Sequence, residues 1–170
     1  MSSNETTFIS GRYLDASAAV KLVVAEQASD AVRKFVASGG PFYIISICLA
    51  EALSVLKVKY LYRQELSEKE YYNAANLLLD QLQGSPIFIE DVNLVEDHVF
   101  YETKALAQKY KLDLSDALQL YVLKRGKWSS AGGRSKSMLI TGDKELGNAA
   151  LSEGYKVWNC LTDPLPAEIT

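Results

Sequence analysis

The sequence predicts an α/β fold, a mainly parallel central sheet of four to five short strands with helices covering both faces. Three observations carry this. Short apolar β-prone runs recur at 42–45, 87–89 and 138–141, as in strands buried on both faces. Longer stretches with helical periodicity separate them, and strands alternating with helices imply crossovers and parallel neighbours. The 170 residues are 48% apolar and 23% charged, enough for a substantial core and unlike a disordered chain.

In chain order, residues 13–14 form a short strand that opens at Asp15 into a helix over 17–24. A second helix, 29–36, stops at Gly39, Gly40 and Pro41, which end helical geometry. Strand 42–45 leads into a long helix over 47–62. Ser67 is placed to cap the next helix, 68–82, because its hydroxyl can accept from the first-turn amides. Gly84, Ser85 and Pro86 end that helix; strand 87–89, helix 94–110 and helix 113–124 follow. The polar stretch 125–137 reads as a loop. Strand 138–141, helix 143–151 and a last strand 156–158 complete the pattern, with an irregular tail from Thr162. No repeat, low-complexity tract or linker interrupts it, so residues 1–170 are expected to form one domain with its core at about 12–160.

Sheets of this kind carry their sites beyond the carboxyl ends of the strands. Asp15 and Asp143 each fall just past a predicted strand, and Glu51 and Asp116 lie near helix starts. Most have a purely structural explanation. Asp15 or Ser17 can cap the first helix and Asp143 the last. Asp113 stands where a cap belongs, one helical step before Asp116, which the helix dipole favours. Glu51 is harder to place. Leu49, Leu53, Leu56 and Tyr60 make one apolar row of its helix, and Cys48, Val55, Val58 and Tyr62 a second, to which Glu51 belongs. A helix apolar on two sides is expected to be sandwiched, where a carboxylate needs a basic partner or a cation. The residues leave both readings open.

These acids stand in recognisable contexts: Leu14-Asp15-Ala16-Ser17, Ala50-Glu51-Ala52-Leu53, Ser115-Asp116-Ala117-Leu118 and Thr141-Gly142-Asp143-Lys144-Glu145-Leu146. In that order and near that spacing the set resembles the PIN-domain ribonucleases, most closely the VapC-type toxins of toxin–antitoxin pairs. The likeness spans roughly residues 13–158. It implies a PIN-like α/β/α fold and an endonuclease that hydrolyses RNA to a 5′-phosphate and a 3′-hydroxyl. It also implies that Asp15, Glu51, Asp116 and Asp143 are catalytic and bind metal, with Thr141, Ser17 and Asp113 in support. Asp116 matches because it directly precedes Ala-Leu. Oxygen-only ligands select hard cations, so Mg²⁺ is expected, with Mn²⁺ as a substitute. Grouped carboxylates raise one another's pKa, and a divalent ion relieves that repulsion. Toxins of this type dimerise and receive an antitoxin segment in an apolar groove, so RNA, an antitoxin and a second copy of the chain are the expected partners. Tyr60, Tyr62, Tyr71 and Tyr72, around the junction of two long helices, are either the edge of the core or that partner surface.

Other chemistries lack their residues. His98 is the one histidine, which removes metal-free RNA cleavage by a histidine pair. The chain has no nucleophile elbow for a Ser–His–Asp triad, no phosphate-binding P-loop and no ligand set for zinc. A receiver-like signalling domain would need a later strand-end lysine, and none is found. The remaining alternative is a non-catalytic PIN-like module that binds RNA or protein. Net charge −3 and a pI of about 5.3 advertise no nucleic acid, so RNA contact falls to a local patch. Arg125, Lys127, Trp128, Arg134 and Lys136 supply one, or are a solvated loop. Cys48, among apolar neighbours, reads as a buried reduced thiol, hence a reducing, cytoplasmic setting. With no signal-peptide pattern and no membrane-length apolar run, a soluble protein is expected.

Overall fold

The computed structural model describes residues 11–84, 87–127 and 137–167. Strands β1 (Arg12–Leu14), β2 (Phe42–Ile44), β3 (Ile87–Ile89), β4 (Met138–Thr141) and β5 (Lys156–Asn159) form one parallel sheet in the order β3-β2-β1-β4-β5. Between them run α1 (Ala16–Val23), α2 (Ser29–Ala37), α3 (Ser46–Leu61), α4 (Glu68–Gly84), α5 (Asp97–Tyr110), α6 (Leu114–Arg125) and α7 (Lys144–Ser152). Helices α1 to α4 pack with one another, as do α5 to α7, and the sheet lies between these two layers. The expected α/β class holds, with five strands where four to five were expected.

The topology fixes where a site can form. The chain lays down β1, β2 and β3 outward in one direction, then returns to place β4 on the other flank of β1. Such a reversal opens a crevice beyond the strand ends, because the connections on either side leave in opposite directions. Here it lies between β1 and β4, whose ends are paired at Leu14 and Ile140.

Alternating side chains give the sheet two apolar faces. Tyr13, Tyr43 and Phe88 stand in line across three strands, their ring centroids 5.4 and 6.1 Å apart. On the other face Phe35 of α2 meets Phe42 at 5.7 Å and Trp158 at 4.9 Å. Helix α6 is buried from Ala117 through Leu123, so it has no polar stripe to offer solvent. Truncating Leu120 there to Ala would cost about 2–5 kcal/mol. Glu153, just past α7, ties this layer together. It accepts from Lys109 of α5 at 2.8 Å, Lys124 of α6 at 2.7 Å and the Tyr110 hydroxyl at 2.5 Å. These donors, Lys109 foremost, pull its pKa down to about 2.

Element ends shift for local reasons. Helix α5 begins at Asp97 and not 94, because Asn93 turns the chain first, its side chain accepting from Val95 N at 3.3 Å and its carbonyl from Glu96 N at 3.1 Å. Helices α6 and α7 begin one residue later than expected, since Asp113 and Asp143 are the caps themselves. Ser67 and Glu70 cap α4 reciprocally, Ser67 N donating to Glu70 Oε2 at 2.7 Å and Glu70 N to Ser67 Oγ at 3.3 Å. Ser85, Pro86 and residues 128–136 lie outside the described residues. Among the described residues no helix is long and apolar enough to cross a membrane.

Candidate active site

At the crevice two turns are locked together by two hydroxyls. Asp15 follows β1 and caps α1, its Oδ1 accepting from Ser17 N at 2.8 Å. Its Oδ2 accepts from the Ser17 hydroxyl at 2.9 Å and from the Thr141 hydroxyl at the end of β4. Each hydroxyl also accepts from a backbone amide of the β4–α7 turn: Ser17 Oγ from Gly142 N across the crevice, and Thr141 Oγ1 from Asp143 N within its own turn, both at 2.8 Å. Gly142 permits this approach, because a Cβ there would stand 3.2 Å from Ser17 Oγ and from Leu161. Asp143 caps α7 through Oδ1, which accepts from Leu146 N at 2.8 Å. The capping readings of Asp15, Asp113 and Asp143 are therefore all correct as geometry, and they fix each side chain at the crevice.

Asp116 is delivered by the start of α6, which Asp113 caps by accepting from Asp116 N at 2.9 Å. Glu51 comes from α3. Its helix departs from the sandwiched helix expected above. The buried row is Cys48, Ala52, Leu56 and Lys59, whereas Val55, Val58 and Tyr62 are 37%, 36% and 75% exposed. An apolar row can line an open groove as well as a core, and here Val55 and Val58 do so beside Glu51. The first turn of α3 is held from outside, Ser46 N donating to Asp91 Oδ1 at 2.7 Å and the Ser46 hydroxyl to Oδ2.

Asp15, Glu51, Asp113, Asp116 and Asp143 line one cleft of about 570 Å³. Among the described residues, none of them is in an ion pair. Their field is visible in one another's acidity. Burial, then Asp113, Asp15, Asp143 and Glu51, push Asp116 up to about 7. Burial also raises Asp15, over the opposing hydrogen bonds of Thr141 and Ser17. Cys48 lies beneath, and burial followed by the charges of Asp15 and Glu51 pushes its thiol well up, leaving it inert. Among the described residues no three His, Cys, Asp or Glu side chains are grouped tightly enough to enclose an ion unaided.

The other end of the cleft is balanced, and sequence reasoning missed it. Glu26 accepts from Lys21 at 2.5 Å and from Lys59 at 2.8 Å, and Lys59 also reaches Glu65 at 2.7 Å. Burial alone would raise Glu26, but the two lysines win and hold its carboxyl below the usual range. Arg63 completes this end. The spacing of Glu51, Val55, Lys59 and Arg63, a residue in four, is the signal that could have found it.

The two described members of the predicted cationic patch sit elsewhere. Arg125 and Lys127 line a separate cavity with Tyr43, Phe88, Glu90 and Asp91, and Arg125 pairs with Glu102 at 3.1 Å. Arg125 is at the far end of α6, about 14 Å along its axis from Asp116. Trp128, Arg134 and Lys136 lie outside the described residues. Tyr60 stacks on Tyr71 at 5.2 Å, while Tyr62 and Tyr72 point to solvent. His98 is a surface imidazole beside Glu96.

A family model described as PIN domain matches residues 12–151. No curated protein matches the sequence. Among solved structures, the chain is similar to the crystal structure of PAE2754 from Pyrobaculum aerophilum, with a TM-score of 0.56 and 20% identity over 86% of this chain and 88% of that one. That likeness concerns the fold, and the fold agrees with the family match. The chain belongs to the PIN domain family, whose members are typically nucleases that use divalent metal ions.

Proposed function

We propose that this chain is a Mg²⁺-dependent endoribonuclease that hydrolyses RNA phosphodiester bonds to a 5′-phosphate and a 3′-hydroxyl. The observation that carries the reading is that Asp15, Glu51, Asp113, Asp116 and Asp143 line one cleft, with no cation paired to any of them among the described residues. The donor set fits a hard cation: it is oxygen only. Asp143 Oδ2 and the carboxylates of Glu51 and Asp116 have no hydrogen-bond partner among the described residues. When bound, the ion supplies the positive charge the site lacks and Lewis acidity toward the phosphodiester. The chain's own groups do the positioning. Ser17 and Thr141 hold Asp15 and fix its distance from Asp143, Asp113 aims Asp116, and α3 carries Glu51 in from the far side. An ion held by these carboxylates would complete its shell with water, as Mg²⁺ prefers.

The motif resemblance extends the reading to a cytoplasmic toxin of a toxin–antitoxin pair, dimeric and masked by an antitoxin segment. Exposed Val55, Val58, Leu61, Tyr62 and Tyr72 around α3 and α4 offer apolar surface for such contacts.

Purified protein incubated with single-stranded RNA and Mg²⁺ tests the chemistry. Cleavage is expected, abolished by chelator and reduced at least about a hundredfold in Asp15→Asn. Cleavage that survives both would contradict the reading, and binding without cleavage would leave a non-catalytic RNA-binding module. Growth arrest on expression of the wild type, but not of Asp15→Asn, tests the toxin role.

A further inference from the structure

The cleft is longer than its carboxylate end, and one helix face runs its length. Glu51, Ser54, Val55, Val58 and Lys59 line it at the three- and four-residue steps that share a side of a helix, and Arg63 lines it from just past the end of α3. From Glu51 to Lys59 is about 12 Å along α3, with Arg63 beyond that. The track is therefore acidic at one end, apolar in the middle and basic at the other.

The two basic residues are not equivalent. Lys59 is buried and held by Glu26 and Glu65 at 2.8 and 2.7 Å. Its charge is already matched. Arg63 is 61% exposed, and its contact with Glu65 is long, at 3.8 Å. A guanidinium has five donors in a planar fork suited to phosphate, and this one keeps most of them available to the cleft. We propose that Arg63 is a positioning residue for the RNA strand, gripping a phosphate several nucleotides away from the scissile bond. The strand leaves the carboxylate end along α3, its sugars and bases pass over Val55 and Val58, and its backbone is caught at Arg63. The assignment rests on the ribonuclease reading above. It gives an acidic chain a local cation at the site, where net charge and the Arg125–Lys127 end of α6 do not.

The test is fluorescence anisotropy of RNA binding in the Asp15→Asn background, which keeps RNA uncut. The probes are a single strand of about ten nucleotides, within the usual footprint of such tracks, and a dinucleotide too short to leave the carboxylate end. Adding Arg63→Ala should weaken the long strand about three- to tenfold and lower its salt slope by about 0.7, the share of one phosphate contact. The dinucleotide should bind as before, and Arg63→Lys should restore the slope. In the otherwise wild-type enzyme, Arg63→Ala should raise KM for the long strand and leave kcat alone. Unchanged affinity and slope for the long strand, in a chain whose wild type cuts RNA, would overturn the role of Arg63 and leave the nuclease reading standing. A wild type that neither cuts nor binds RNA would overturn both.

Discussion

The two ends of the cleft hold similar numbers of ionisable groups and treat them in opposite ways. At one, Glu26 and Lys59 line the cleft and pair with each other and with Lys21 and Glu65, so that each buried charge meets its opposite within 2.8 Å. At the other, Asp15, Glu51, Asp113, Asp116 and Asp143 share a sign, and hydrogen bonds hold Asp15, Asp113 and Asp143 in place without cancelling the charge. A fold that can balance charge at one side of a groove and leaves it unbalanced at the other marks the second side as a binding site. The balanced group builds the groove, and the unbalanced group is the one the proposed function gives to a cation.

That contrast can be broken from either side. Removing the shared acceptor of the balanced group should do most damage to the fold: Glu26→Gln strands Lys21, whose side chain is only 7% exposed, and is expected to cost about 3 kcal/mol by chemical denaturation. Thr141→Val takes a hydrogen bond from Asp15 and frees the Asp143 turn. It should lower metal affinity and cleavage about 10–100-fold while the protein stays folded by circular dichroism. Asp116→Asn goes the other way. It removes like-charge repulsion, so the metal-free variant should melt about 2–4 °C higher, what roughly 1 kcal/mol does in a chain of this size.

The two groups should also titrate with opposite signs in metal-free protein. Glu26 has a folded pKa below its ordinary value, so its contribution is present above the carboxylate range and is lost as pH falls through it. Asp116 has a folded pKa of about 7 against an ordinary 3.8, so its contribution is present below 3.8 and is lost as pH rises through 7. Melting temperature should therefore drop on both sides of a mildly acidic optimum. Asp116→Asn should lessen the neutral drop, and Glu26→Gln the acid drop, to which the lowered Glu153 also contributes.

How much of this was legible in the sequence follows from the range of each interaction. Asp15, Ser17, Thr141 and Asp143 sit in turns whose short motifs state both the cap and the site, so they could be found by reading along the chain. The sheet was legible because its strands are short apolar runs between helical stretches. Glu51 was singled out by its Ala-Glu-Ala-Leu context, while the expectation of a sandwiched helix around it does not hold. Its helix shows two apolar rows, and periodicity cannot say whether the second is covered by protein or lines a groove. Of the balanced group, the sequence shows only the four-residue spacing from Glu51 to Arg63; the pairing itself was hidden, since Lys59 lies 33 positions from Glu26 and no motif joins them. The same holds for Asp91, which caps α3 from 45 positions away.

The most direct measurement is thermal unfolding during Mg²⁺ titration of wild type and of Asp15→Asn. Wild type should gain about 2.7 kcal/mol of stability when Mg²⁺ is a hundredfold above its dissociation constant, and Asp15→Asn should gain little at the same concentration. A wild type whose melting is indifferent to Mg²⁺ and Mn²⁺, or a variant stabilised just as much, would contradict the claim that these carboxylates form one metal-binding group.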